Sequence, residues 1–343
     1  MAEVSGDVGG GAPRRAPSMA DVAAAIGVSH QTVSRVLNGS PLVREDTRER
    51  VLAAITEMGY RRNNAARVLA TNRSGRIGLI SAHLALYGPS MVMDAVHGAA
   101  QRAGYEVSTV GLEELSAESL RGAVDRLLDQ AVEAMVIAVA HRDALESARS
   151  LKLSIPVVLA QGVTHAEPMA AGIDQVAGAE LATTHLLDLG HERVAHITGP
   201  LDWVETETRR VGWRDAHEVR GLEPGPELIG DWSARSGYDA GRVIAADPDI
   251  TAVFAANDTM ALGLLRALHE AGRQVPHEVS VVGFDGIPDG AYYWPGLTTV
   301  NQDFADLGRR AVDLTLRALG GESTPAAALV VPTLVLRDST APR

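Results

Sequence analysis

The apolar positions of this chain change their period partway along. Between residues 19 and 58 they recur at helical spacing: Val22, Ala23 and Ile26, then Val33, Val36 and Leu37, then Val51, Leu52, Ile55 and Met58. The spacing predicts three short helices, over 19–26, 30–38 and 44–58. Ser18 with Asp21 three residues on is a capping pair, with Asp where the capping box usually has Glu. Gly27-Val28 breaks the first helix, Ser29 can cap the second, and Gly39 suits a left-handed end to it. Gly59-Tyr60 ends the third. From Arg76 onward the pattern becomes short runs of Val, Ile and Leu alternating with helical stretches. Strands are predicted at 76–82, 105–111, 134–140 and 155–161, with helices at 90–103, 117–129 and 143–150. The alternation restarts with helices at 175–189, 203–219, 235–246 and 258–272, and strands at 193–199, 228–232, 251–257 and 279–286. LTTVNQDF (297–304) precedes a helix at 305–319, and ALVVPTLVLRDS closes the chain in strands around Pro332. Alternation of this kind with near-continuous apolar strands means a parallel sheet with helices on both faces. The expected fold class is α/β: two consecutive units at roughly 77–173 and 174–301, behind an all-α headpiece at 18–60.

Composition narrows the function. The chain has 343 residues, 46% of them apolar, enough for several cores. It has no cysteine, so it offers no disulfide, no thiolate metal site and no cysteine nucleophile, which fits a reducing cytoplasm. No apolar run reaches about 18 residues, and the N-terminal stretch lacks the apolar segment of a secretion signal, so no membrane partner is expected. Residues 1–17 read as a disordered Gly/Pro-rich tail. The net charge of −12 argues at first against nucleic acid, but its distribution reverses that. Residues 14–76 hold eleven arginines and five acids, a basic end on an acidic body. One end alone is then suited to phosphate.

Packing the first two helices leaves His30, Gln31, Ser34 and Arg35 on one outward face. An amide and a guanidinium so placed can read base edges in a major groove, Arg on guanine and Gln on adenine. The alternative is an ordinary helical hairpin with a solvated polar face. The stretch DVAAAIGVSHQTVSRVLNG (21–39) resembles the DNA-binding signature of the LacI/GalR family of bacterial transcription regulators. By that resemblance His30, Gln31 and Arg35 read bases, and Ser29, Thr32, Ser34 and Asn38 complete the DNA-facing set. One member of the family has a tyrosine where this chain has His30, which alters the expected operator sequence but not the groove. Half of residues 61–76 are arginine or asparagine, which on its own reads as a basic linker. In the family the segment matching Asn63–Ala70, with Ala66 within it, is a hinge that becomes helical on operator DNA. The residue matching Leu69 wedges into a central base step of the minor groove.

The remainder resembles periplasmic sugar-binding proteins, in which the last segments cross back between lobes. Lobe one is then 77–173 with 304–331, and lobe two 174–301 with 332–339. Ligands of such folds sit beyond the carboxyl ends of the strands. The polar residues at those ends are Asp285, Asn257 with Asp258, Trp232 and Gln302, with Arg209 on the helix after HITGP. Carboxylate, amide and arginine with an indole face are the chemistry of a sugar pocket. Asn257-Asp258 could equally cap the next helix, and Phe304 could be core. GDWSARSGY, AANDTMALGLLRAL, VSVVGFDG, PGLTTVNQDF and LALYGPS extend the family resemblance over nearly the whole chain. They imply that Arg209, Asn257 and Asp285 bond sugar hydroxyls and that Trp232 and Phe304 flank the ring. They also imply that Leu86, Pro89 and Val92 line the aglycone side and that Gln302 bridges the lobes. Ala138 and Gln161 stand where one member of the family has an asparagine and an aspartate, and by the resemblance both positions face the cleft. A buried hydroxyl left unpaired there costs roughly 1–3 kcal/mol, so the expected effector is a galactoside-like or related glycoside.

Two readings rival a sugar-responsive repressor acting on a pseudo-palindromic operator. A sugar-active enzyme would use Asp285 and Asp258 as a carboxylate pair, but nothing supports their spacing. No Gly-rich phosphate loop is present, and HERVAH (191–196) lacks metal-hydrolase spacing, so no catalytic residue, metal or cofactor is expected. His191 reads as a surface-turn residue after Leu189-Gly190. A transport-associated binding protein would leave the headpiece without a use. No leucine-rich extension of the kind that makes a family member tetrameric follows the last strand, so the expected assembly is a homodimer. Its two headpieces would match a two-fold operator.

Overall fold

The structure, a computed structural model, describes residues 17–37, 39–60, 73–163, 167–322 and 328–343. The expectations for Asn38, Asn63, Ala66, Leu69, the tail before residue 17 and most of the hinge lie outside the described residues. The chain falls into two compact units, 1–74 and 75–343.

The first unit holds α1 (Met19–Ile26), α2 (His30–Leu37) and α3 (Glu45–Met58). Both halves of the α1 capping box form. The Ser18 hydroxyl accepts from the Asp21 N–H, and the Ser18 N–H donates to the Asp21 carboxylate at 2.7 Å. Gly27 ends α1 at φ 68°. The Ser29 hydroxyl accepts from the Thr32 N–H at 3.1 Å and so caps α2. Gly39, at φ 67°, lets the chain turn out of α2 in the left-handed region. Val22, Ala23, Val33, Val36, Val51, Ala54 and Tyr60 form the small core. The α3 stripe differs from expectation at one position. Leu52 is 48% exposed and Ala54 is buried instead. Val51, Ala54, Ile55 and Met58 follow the i, i+3, i+4, i+7 rule, and Leu52 lies about 100° round the helix from Val51.

The second unit carries two main sheets. The first has order β2-β1-β3-β4, from β1 (Arg76–Ala82), β2 (Glu106–Leu112), β3 (Ala134–Ala138) and β4 (Val157–Leu159), all parallel. Helices α4 (Tyr87–Arg102), α5 (Ala117–Leu128) and α6 (Arg142–Arg149) follow successive strands. A short β5 (Ala171–Ile173) continues this layer through a bridge between Leu159 and Ala170. The chain then crosses into the second sheet through α7 (Gln175–Asp188). Strands β6 (Val194–Thr198), β7 (Glu227–Ile229), β8 (Ala252–Ala255), β9 (Ser280–Asp285) and β10 (Thr298–Asn301) alternate with α8 (Val204–Glu218), α9 (Ala234–Ala246) and α10 (Asp258–Glu270). Then α11 (Phe304–Leu319) returns to pack on α4. The Cβ of any residue replacing Gly308 would stand 2.5 Å from the Ala95 backbone, so only glycine allows that approach. The last two strands divide. β11 (Ala328–Val330) pairs with β5, and β12 (Thr333–Val335) runs antiparallel beside β10, giving the order β12-β10-β9-β8-β6-β7.

Each sheet is buried on both faces. Ile77, Leu79, Val136 and Val158 pack with α4 and α11, and Ile80, Met135 and Ile137 pack with α5 and α6. In the second sheet Val253, Ala255 and Val281 face α9 and α10, and Phe254, Val282 and Phe284 face α7 and α8. The strand β5 and the turn of 3-10 helix at Pro288–Tyr292 were not anticipated from the sequence. His191 is a correction: it is 4% exposed, not on a surface turn. Its Nδ1 pairs with the Thr251 hydroxyl at 3.0 Å and its Nε2 with the Ala341 carbonyl at 3.3 Å. The C-terminal segment that buries it lies 150 residues away in sequence, beyond the reach of any turn signal.

Candidate functional site

In the first unit α2 turns Val33 and Val36 inward and leaves His30, Gln31 and Arg35 exposed. Ser34 is half-buried, and Ser29 and Thr32 bond to each other at the start of the helix. Two basic residues serve structure instead. Arg48 donates to the Ser40 carbonyl in the turn after α2, and Arg50 donates to the Ile26 carbonyl at the end of α1. The basic end therefore offers fewer free guanidinium groups than its sequence suggests.

The second unit has a cleft between its two sheets, about 680 Å³ of space counted with the solvent at its mouth. Leu86, Pro89, Val92, Gln161, Arg209, Trp232, Asn257, Asp285, Gln302 and Phe304 all line it. Ala138 does not. It is 1% exposed and packs in the core of the first sheet layer. The polar residues are linked. Arg209, 5% exposed, donates to the Gln175 side chain at 2.9 Å and to the Ala256 carbonyl, with its guanidinium 3.9 Å from Asp285. Gln175 donates to Gln302 at 3.0 Å, and Gln302 donates to Asp285 at 2.7 Å. Gln175 follows the first crossing between the sheets and Gln302 the second, so this network joins the two crossings. Burial raises the Asp285 pKa to about 6, against the pull of Arg209 and Gln302.

Asn257 is a structural residue as well as a lining one. Its Oδ1 accepts from the Met260 N–H and caps α10, while its Nδ2 donates to the Trp232 carbonyl. Asp258 belongs to the fold. It is fully buried, accepts from the Thr299 hydroxyl at 2.5 Å and from the Ile287 N–H at 2.8 Å, and its pKa is pushed up to about 8 by burial. Trp232 stacks its ring against Gly199, where any Cβ would lie 2.0 Å from the indole. Its Nε1–H is buried and unpartnered. Phe304 meets Tyr87 edge-on at 6.0 Å.

Backbone strain gathers here too. Trp232 sits at φ 73° and Asp285 at φ 110°, conformations that cost a non-glycine residue about 1–3 kcal/mol. His83, at φ 52°, lies beside the cleft with its ring 5.1 Å from that of Trp203. Sequence reasoning missed Tyr87, Gln175, Trp203, Glu205 and Thr208 in the lining. The signal available was the spacing of Glu205, Thr208 and Arg209 on one face of α8.

Comparison with known proteins decides the family. Bacterial regulatory proteins of the lacI family match residues 18–63, and the periplasmic binding protein-like domain matches residues 183–340. The lactose operon repressor of Escherichia coli (strain K12) is 36% identical over 324 residues, 93% of this chain and 89% of that protein. The chain belongs to the LacI family. The HTH-type transcriptional regulator CelR of Thermobifida fusca is also 36% identical, over 95% of this chain and 99% of its own length. Among solved structures, the lac repressor dimer bound to operator and the anti-inducer ONPF superposes with a TM-score of 0.87 at 34% identity. It covers 95% of this chain and all of that one. A complex of CelR with cellobiose gives 0.70 at 30% identity, over 94% of this chain and 99% of that one. As a LacI-family member the chain is a regulatory protein, not an enzyme. Among the described residues no helix is long and apolar enough to cross a membrane.

Proposed function

We propose that this chain is a sugar-responsive transcriptional repressor that works as a homodimer on a pseudo-palindromic operator in the cytoplasm, associated with the nucleoid. Residues 18–60 form its DNA-binding domain, with His30, Gln31 and Arg35 reading bases in the major groove. Residues 61–76 are its hinge, with Leu69 entering the minor groove. Residues 77–339 are its effector-binding core, whose two lobes are the two sheet layers. The observation that carries the proposal is that one chain combines a capped, exposed α2 face with a cleft whose polar network joins both crossings between the sheets. Homologous regulators support it, one of them solved on its operator and another with cellobiose. A galactoside-like or related glycoside closing the cleft would favour the arrangement with weaker operator affinity, and such a shift requires tighter sugar binding to that arrangement.

The test is operator binding by the purified protein at fixed salt, with and without galactosides and glucosides, starting from a lac-type palindrome. One sugar should weaken a specific complex. Arg35→Ala should cost about 1–3 kcal/mol of operator binding and relax preference at one base. A sugar-indifferent operator complex would remove the glycoside from the proposal. An unchanged base preference in Arg35→Ala would remove the assigned reading face.

A further inference from the structure

Glu205 is an acid that the cleft leaves without a partner. It stands in the first turn of α8, lines the cleft and is 5% exposed. Both of its carboxyl oxygens are buried, and neither has a hydrogen bond of ordinary geometry. The charge of Arg209 and then the backbone amides of Glu205 and Gly162 act on its carboxyl group, all weakly beside the effect of burial. Arg209, one turn along the same face, does not pair with it. That guanidinium is directed to Gln175, Ala256 and Asp285. A buried, unsatisfied carboxyl is unfavourable, and one held on the wall of a ligand cleft calls for an occupant.

The chain before Glu205 is pinned from the opposite layer. Val204 donates to the Ala140 carbonyl at 2.9 Å, Arg142 donates to the Asp202 carbonyl at 3.0 Å, and the His141 ring meets the Asp202 carboxylate at 3.0 Å. Glu205 thus stands where the start of α8, in the second sheet layer, is fastened to the first, and Gln161 and Gly162 of the first layer share its cleft. Trp203, edge-on to Trp232 with ring centroids 5.5 Å apart, gives this region an aromatic wall suited to the C–H face of a sugar ring.

The geometry points to Glu205 as a specificity-determining contact, a carboxyl oxygen of its side chain accepting a hydrogen bond from a hydroxyl of the bound glycoside. This rests on the glycoside proposal above and deepens it. A neutral hydroxyl is favoured over an ammonium group because Arg209 lies one turn away and would repel a second cation. Because the α8 start is held by both layers, the contact forms only with the lobes together, which links recognition of that hydroxyl to closure.

The full chain and its E205Q and E205A variants are titrated calorimetrically with methyl β-D-galactopyranoside, lactose, cellobiose and D-galactosamine. At least one neutral glycoside should bind, E205A should weaken it tenfold or more, and E205Q should weaken it less. Deoxy analogues of that glycoside locate the hydroxyl. The analogue lacking it should lose as much on the native protein, yet bind E205A within twofold of the parent sugar. A merely structural role would leave the deoxy penalty equal in both proteins, which overturns the inference. E205A binding within twofold of the native protein overturns Glu205 and leaves the glycoside standing. Glu205-dependent preference for D-galactosamine overturns the hydroxyl in favour of a cation. If none of the four binds the native protein, the glycoside proposal falls and this inference falls with it.

Discussion

A buried carboxyl without a partner leaves a signature in stability. Burial raises the Glu205 pKa from 4.5 to about 7. Between those values the folded protein keeps a proton that the unfolded chain has lost. Stability from this group therefore falls as pH rises, and stops falling above about 7. Buried His196 acts in the opposite sense. Its pKa is lowered to about 3, so its contribution to stability is complete above the unfolded value of 6.5 and is lost as pH falls below it. The two overlap between pH 4.5 and 6.5, so the native melting curve alone does not separate them. The difference between E205Q and native protein does. E205Q should gain about 2 kcal/mol over the native protein as pH rises from 5 to 8, read as a widening gap in melting temperature. A gap constant with pH would mean that Glu205 ionises in the folded state as freely as in water.

At the scale of elements, the stops and starts of helices carry much of the architecture. Ser29 caps α2 and aims its exposed face. Ser29→Ala should cost about 1 kcal/mol in operator binding while leaving sugar binding unchanged, measured on the full chain with both ligands. Equal losses at both sites would mean the cap supports more than the helix it starts. Where α9 meets α10, a Cβ at Gly263 would lie 1.9 Å from the Ala234 carbonyl oxygen. Gly263→Ala forces the two helices apart and should destabilise the core by about 1–3 kcal/mol, visible as a lower melting temperature. A neutral change would show that this crossing can slide.

The sequence made such elements legible because their causes are local. Ser18-Asp21, Gly27, Ser29 and Gly59 set the headpiece, and Val/Ile/Leu runs set the strands of both sheets. Asp285, Trp232 and Gln302 were legible as lining because they end strands or follow them. What stayed hidden depends on distant chain. The three residues of β5 gain their pairing from β11, more than 150 residues later. His191 is buried by the C-terminal segment. Ala138, facing the core and not the cleft, shows that the residue ending a strand can fall on either side of the pleat. Glu205 was hidden because acids in the first turn of a helix usually complement its dipole in solvent, and only the first lobe, fastened to the start of α8, encloses this one.

Across the whole molecule, the proposed function assigns two ligands of opposite character to separate units of one chain. On that proposal the operator is a polyanion met by the arginine-rich end, and the effector is a neutral sugar in a mostly apolar cleft. Salt should therefore separate them. Operator affinity should fall steeply with ionic strength, while sugar affinity should stay nearly flat. Their coupling must also be reciprocal, since it is a single free energy between two sites. If a glycoside weakens operator binding by some factor, saturating operator must weaken glycoside binding by that same factor, for couplings of this kind about 5–150-fold. The measurement is a pair of titrations at one salt concentration: duplex into protein with and without the glycoside, and glycoside into protein with and without the duplex. Matching factors greater than one would measure the coupling free energy between the cleft and the operator. A sugar that binds operator-bound and free protein equally cannot displace the operator, and that result would remove the cleft as the control point. The Asp202–His141 clasp offers a second reading of the same cycle. Asp202→Ala loosens the tie between the layers, so it should weaken sugar binding and reduce the coupling factor together. If it weakened sugar binding alone, closure at this edge would serve affinity without reaching the operator.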